Sequence, residues 1–152
     1  AEVRRICRWL GYRTNAVVGQ QQEVAYAFLL ALRTGMRASE LLSLKPETVD
    51  LQKRVALVPH KTQYLTGKMR EVPLTRAAVR LLRPMMSRPA VFTVSAKSLD
   101  AMFRKAHSGL LIKDLHFHDS RAEALTRLAG DTDAWVRRGV ACNPATPPAV
   151  RA

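Results

Sequence analysis

Thr34-Gly35-Met36-Arg37-Ala38-Ser39-Glu40-Leu41, residues 34–41, is the joint around which this chain reads. From Gln21 to Thr34 almost every position is apolar, with Val24, Ala25, Ala27, Phe28, Leu29, Leu30, Ala31 and Leu32 in one run. A helix that is apolar all round belongs at the centre of a core. Gly35 is a natural stop for it, because glycine enters the left-handed region without steric penalty. Arg37 to Leu44 then reads as a second short helix, closed by Lys45-Pro46. Glu40 lies one turn after Arg37, so the two share a helix face.

Outward from this joint the pattern is mostly helical. Residues 2–11 form an amphipathic helix with Val3, Ile6, Trp9 and Leu10 on one side, and residues 12–20 read as a loop. The period changes after Pro46. Val55, Leu57 and the Val72–Leu74 stretch flank a turn near Thr66-Gly67-Lys68, which predicts a small antiparallel hairpin or meander. Thr75 can cap a helix running to about Met85, and Ser95 or Ser98 another running through Ala106 with Leu99, Met102 and Phe103 buried. His118 to Ala129 is a last helix, with Ala122, Leu125 and Leu128 facing inward. Apolar periodicity fades after Val140, and Pro144, Pro147 and Pro148 crowd the end, so 143–152 is expected to be loosely ordered. The fold class is mainly α with a small antiparallel β-sheet (α+β).

At 152 residues the chain suits one domain, burying about 70% of its unfolded surface. Charge is the outlier. Lys and Arg total 25 against 12 Asp and Glu, a net +13. That excess favours a polyanion, most simply a nucleic-acid backbone. An anionic membrane is disfavoured, since there is no long apolar span and no basic amphipathic helix with a clean lipid face. Single-stranded RNA would call for stacking aromatics, and these make up only 6% of the chain. Cys7 and Cys142 are too few for a disulfide framework, which fits a reduced, cytoplasmic compartment. The chain begins at Ala1 in helical sequence with no visible signal peptide, and is expected to be a piece of something longer.

The polar chemistry gathers at two places. Arg37 follows the central helix, and His118-Asp119-Ser120-Arg121 opens the last one with His118 one turn before Arg121. Guanidinium stays charged and binds phosphate oxygens through a planar fork. Two such groups suit a phosphodiester passing through a pentacoordinate, charge-rich transition state. His116, His118 and His107 raise the possibility of a metal, but no carboxylate or cysteine completes a ligand spacing, and none is expected.

Together these segments resemble the tyrosine recombinases of the phage integrase family. Residues 34–42 resemble the family's first arginine motif, and 118–121 its His-x-x-Arg motif. Lys61-Thr62, with Arg70-Glu71-Val72-Pro73-Leu74 beyond the turn, is similar to the hairpin bearing the family's lysine. The resemblance covers about residues 2–130. It implies a catalytic domain (1–130) followed by a divergent segment (131–152). The implied roles are Arg37 and Arg121 as the phosphate clamp, Glu40 holding an arginine in place, and Lys61 as the acid for the leaving 5′-oxygen. Lys68 is a competitor for that last role. His118 would bond a phosphate oxygen or move a proton. The partner is double-stranded DNA, with a homo-oligomer assembling on it, in the cytoplasm of a bacterium or encoded by a phage. No cofactor is expected, because a 3′-phosphotyrosine conserves the bond energy through cleavage and rejoining.

The pattern breaks after Gly130. The family places a second histidine (or tryptophan) and then a nucleophilic tyrosine there, but no histidine follows His118, no motif surrounds Trp135, and the tyrosines are Tyr12, Tyr26 and Tyr64. No nucleophile is therefore assigned, and the chain is expected not to cleave DNA alone. Two explanations are expected: a truncated or frame-shifted C-terminal sequence, or a tyrosine supplied in trans from another chain. The alternative function is a non-catalytic DNA-binding regulatory module using the same basic cleft.

Overall fold

The structure, a computed structural model, describes residues 1–59, 63–142 and 146. In chain order the elements are α1 (Glu2–Trp9), α2 (Gln20–Thr34), α3 (Ala38–Leu42), β1 (Val49–Asp50), β2 (Val55–Val58), α4 (Gln63–Thr66), β3 (Arg70–Pro73), α5 (Arg76–Leu82), α6 (Ala96–Gly109), α7 (Asp119–Ala129) and α8 (Ala134–Ala141). Single 3-10 turns lie at Pro46–Thr48 and Arg83–Met85. The class is the expected one, mainly helical with one small antiparallel sheet.

The apolar run of α2 takes the centre. Val24, Ala25, Ala27, Phe28, Leu30 and Ala31 are buried, and the helix packs against α3, α5, α6 and α7. Phe28, Phe103 and Phe117 meet at this centre as tilted and edge-on pairs with centroids 4.9–6.2 Å apart. Such geometry adds to the area they bury. Cys7 is buried and unpaired, and desolvation pushes its thiol up to about 11.

One polar group is sealed within this apolar mass. Glu23 of α2 is buried and accepts bonds from Arg88 Nη2 (2.5 Å), the Thr93 amide (2.8 Å) and hydroxyl (2.8 Å), and the Val94 amide (2.9 Å). It thereby staples the irregular stretch before α6 onto the central helix. Thr75 and Ser95 cap α5 and α6 as expected, accepting from the Ala78 and Ser98 amides.

The sheet runs in the order β1-β2-β3, with Val55 opposite Pro73 and Val58 opposite Arg70. Ala56, Val58 and Val72 face the core while Glu71 faces outward. The turn expected near Thr66-Gly67-Lys68 belongs to a wider connection that contains α4. Its residues 60–62 lie outside the described residues.

Two local readings are corrected. Ala122 is exposed, and Ala124 takes the inward place beside Leu125 and Leu128. Buried Arg121 sets the face of α7, and steps of three and four from it reach 124, 125 and 128 but miss 122. Beyond Gly130, residues 134–141 form a helix where none was assigned, because only Val136 and Val140 mark its inner face. These two join Ala124, Leu125 and Leu128 in a second small apolar cluster. Gly139 permits the contact with the sheet: a Cβ there would stand 2.1 Å from Pro73 Cγ. Of the tail expected to be loosely ordered, only Thr146 is described, and its hydroxyl donates to the Val140 carbonyl at 2.6 Å.

Candidate functional site

The central helix ends where the site begins. Gly35 adopts φ +68°, the left-handed stop anticipated from its position, and its amide closes on the Ala31 carbonyl. The chain then turns so that Arg37 takes the N-cap position of α3 in an extended conformation. Its backbone N–H donates to Glu40 Oε2 at 2.8 Å, the usual reach of an N3 glutamate back to its cap.

Glu40 is the hub of a four-residue ionic cluster. Its carboxylate is buried, and Arg70 Nη2 from the start of β3 donates to Oε1 at 2.7 Å. Arg37 Nη1 stands 3.7 Å from Oε1, and Arg121 Nη1 from α7 stands 3.6 Å from Oε2. Arg121 Nη1 also donates to the Gly35 carbonyl at 2.8 Å, tying α7 to the helix stop itself. Segments far apart in sequence thus converge on one carboxylate. The two predicted clamp arginines are brought together, and predicted Glu40 lies between them.

The electrostatics are those of a site short of negative charge. Desolvation lowers the affinity of Arg121 for its proton, Arg37 and Arg70 push in the same direction, and Glu40 opposes them. Among the described residues one carboxylate faces three guanidiniums, so these four side chains together carry net positive charge. Arg37 is the solvent-facing member, with 43% of its side chain accessible against 6% for Arg121.

An open cleft of about 310 Å³ adjoins Arg37 and Arg121 of this cluster and is lined also by Met36, Ala38, Leu99, Phe117, His116, His118, Ala96 and Asp100. His118 is exposed at the N-terminal cap of α7 and lines the same cleft as Arg121, as their spacing predicts. His116 Nδ1 lies 3.5 Å from Asp119 Oδ2, which also accepts from the His116 amide at 2.7 Å. Lys61 lies outside the described residues. Lys68 is described and exposed beyond α4.

No tyrosine lines this cleft among the described residues. Tyr26 is buried and donates its hydroxyl to the Arg13 carbonyl at 2.8 Å, with the Tyr12 ring tilted against it at a centroid distance of 5.1 Å. Tyr64 is exposed on α4.

Arg70 is the participant that motif reading passed over. A signal for it exists: β3 alternates, and Arg70 falls on the inward phase with Val72. A strand arginine on the buried side requires a carboxylate partner. Which carboxylate is not readable locally.

Gly35 can be tested directly. Alanine there would hold a left-handed backbone and place its Cβ 3.0 Å from Leu125 Cδ2. Gly35→Ala is expected to cost about 1–3 kcal/mol, measured as a lower thermal midpoint. The Gly35–Leu125 contact joins α2 to α7, so the strain falls where Arg121 is anchored.

Comparison with known proteins places this geometry. The sequence model of the phage integrase family matches residues 12–132, which take in both arginine segments and the sheet. A putative integrase/recombinase of Haemophilus influenzae is 38% identical over 113 residues, covering 72% of this chain and 36% of that protein. The shufflon-specific DNA recombinase of Escherichia coli is 41% identical over 102 residues, 66% of this chain and 26% of that protein. The chain therefore spans between a quarter and two fifths of these relatives. Among solved structures, the Tn1549 transposon integrase in complex with circular intermediate DNA superposes with a TM-score of 0.61 at 18% identity, covering 79% of this chain and 50% of that one. XerA recombinase gives 0.57 at 21% identity, covering 90% and 52%. With its arginine segments, its sheet and its fold all accounted for by the match, the chain belongs to the phage integrase family of tyrosine recombinases.

Proposed function

We propose that this domain binds duplex DNA with a backbone phosphate in the Arg37–Arg121 cleft, the step on which site-specific strand cleavage and rejoining depends. The single observation that carries the reading is the shared carboxylate of Glu40, which holds Arg37 and Arg121 at one cleft while leaving net positive charge there. Preorganised guanidiniums aimed at non-bridging oxygens stabilise the charge that develops in a phosphorane and need no reorganisation as it forms. His118, in the cleft lining, serves as a hydrogen-bond donor to phosphate or a proton carrier. Lys61 remains the proposed acid for the leaving 5′-oxygen. Residues 1–130 act as the catalytic domain, and copies of the chain assemble on DNA.

The chemistry of the intact reaction requires a phenolic oxygen in line with the leaving group. Because no tyrosine lines the cleft among the described residues, strand cleavage awaits a tyrosine from elsewhere. The same observation favours a second reading, a DNA-binding regulatory module that occupies sites without cutting them.

The test is a denaturing-gel adduct assay on nicked duplexes, run beside equilibrium binding. The chain is expected to bind duplex and form no covalent adduct. Arg37→Ala is expected to weaken binding by about tenfold or more, the loss of one charge-assisted contact. Absence of duplex binding sinks the reading. A covalent adduct overturns the non-cleaving part, and mass spectrometry of its peptide names the nucleophile.

A further inference from the structure

A second cationic cleft, of about 580 Å³, opens between α5, the end of α7 and the start of α8, and shares no lining residue with the first. Arg33, Arg54, Arg76 and Arg127 line it, against Asp131 and Asp133. Asp133 is already committed, pairing with Arg54 at 2.7 Å and capping α8. Arg127 donates to the Leu32 carbonyl at 2.6 Å. Among the described residues neither Arg33 nor Arg76 meets a carboxylate within 4.0 Å. Arg33 holds its proton less firmly than an ordinary guanidinium, first by desolvation and then by the charges of Arg127 and Arg80. Arg33 and Ala77 also wall an adjoining cleft of about 590 Å³ lined by Arg80 and Arg83. Arg33, Arg76 and Arg127 are exposed, and like charge crowded in one open cleft attracts an anion, which their planar donors can bind directly.

We propose that the Arg33–Arg76–Arg127 cleft is a second phosphate-binding site, which grips the backbone of the duplex held at Arg37 and Arg121. The inference rests on the DNA-binding reading above and adds a contact that the catalytic motifs do not contain. The two clefts lie close along the elements they share. Arg121 and Arg127 are six residues apart on α7, about 9 Å along its axis. Arg54 and Arg70 sit at opposite ends of the β2–β3 pairing, which spans Val55↔Pro73 to Val58↔Arg70, about 10 Å. Duplex DNA presents a charge every ~1.7 Å of its axis, so a phosphate falls within reach of each site. Guanidiniums suit the role because their planar forks match phosphate oxygens.

The experiment is a fluorescence-anisotropy titration of a labelled 30-base-pair duplex over a range of salt concentrations. It compares the unmodified chain with Arg33→Gln/Arg76→Gln, and with Arg4→Gln/Arg8→Gln as a pair of equal charge loss on the exposed side of α1. The cleft pair is expected to reduce the log–log salt slope by about 2 and to weaken affinity at low salt by roughly ten- to a hundredfold. The α1 pair should change both far less. Neither cleft arginine has an ion pair to lose, so the melting temperature of the cleft pair should match or exceed that of the unmodified chain. An unchanged slope for the cleft pair overturns the inference and leaves DNA binding standing, as does an equal fall for both pairs. Failure of the unmodified chain to bind duplex removes the DNA reading itself, and this inference with it.

Discussion

Replacing Glu40 with leucine is expected to lower the thermal midpoint by roughly 6–20 °C, corresponding to about 3–5 kcal/mol. The size follows from geometry. Arg70 donates to the carboxylate at 2.7 Å, and Arg37 and Arg121 flank it at 3.7 and 3.6 Å. Leucine leaves three guanidiniums facing one another, two of them largely buried, with no carboxylate of the described residues among them. Removing one partner of a buried ionic group is costly because the remaining charges stay desolvated. A further consequence separates this account from a simple packing defect. Sulfate or inorganic phosphate should restore part of the lost stability in Glu40→Leu, and raise its midpoint more than that of the unmodified chain. Any anion that binds only the folded state stabilises it by mass action. Differential scanning calorimetry with and without sulfate reads both effects. Equal shifts in the two proteins would mean that the arginines do not form a shared anion pocket.

Glu23→Gln is the second large effect, again about 3–5 kcal/mol. Both carboxylate oxygens are in use, accepting from Arg88, Thr93 and Val94. An amide would turn one of those acceptors into a donor facing donors and remove the charge that Arg88 pairs with. Desolvation pushes this carboxyl's proton affinity up, but the bonds from Arg88, Thr93 and Val94 outweigh it, and the group titrates below its ordinary value of 4.5. The folded protein therefore binds a proton at Glu23 less readily than the unfolded chain does. Its contribution is present above about pH 4.5 and fades as pH falls through the lowered folded value. The unmodified chain should lose stability in that acid window, and Glu23→Gln should show a flatter acid limb. Matching acid limbs, measured by urea denaturation at several pH values, would remove Glu23 as the origin of the dependence.

These two carboxylates mark the boundary of what local pattern can say. Glu40 was visible as the companion of Arg37, three residues away and reachable within one helical turn. Glu23 reads in sequence as the last of a polar run, Gln20-Gln21-Gln22-Glu23, at the head of an apolar helix, and nothing nearby identifies Arg88 or Thr93 as its partners. Arg70 lies 30 residues from Glu40, and only the antiparallel register of β2 and β3 delivers it there. Arg37 and Arg121 were legible as site candidates because each follows a helix boundary with its own signal, Gly35 for one and the His118-Asp119 turn for the other. The absence of a tyrosine after Tyr64 was equally plain. Helix α8 escaped because two valines on eight residues make a weak period, and its docking depends on Gly139 lying against Pro73.

Helices, caps and the central place of α2 are local matters, settled by the spacing of apolar residues and by side chains that satisfy neighbouring amides. So is the net charge that calls for a polyanion. The convergence of Arg37, Arg70 and Arg121 on one buried carboxylate is of another kind, as is the separate crowding of Arg33 and Arg127. Both arise when non-local packing brings together groups from distant segments, and at Glu40, Arg70 and Arg121 it also withdraws them from water. Only in that desolvated setting does the sign and partner of each charge acquire an energetic consequence.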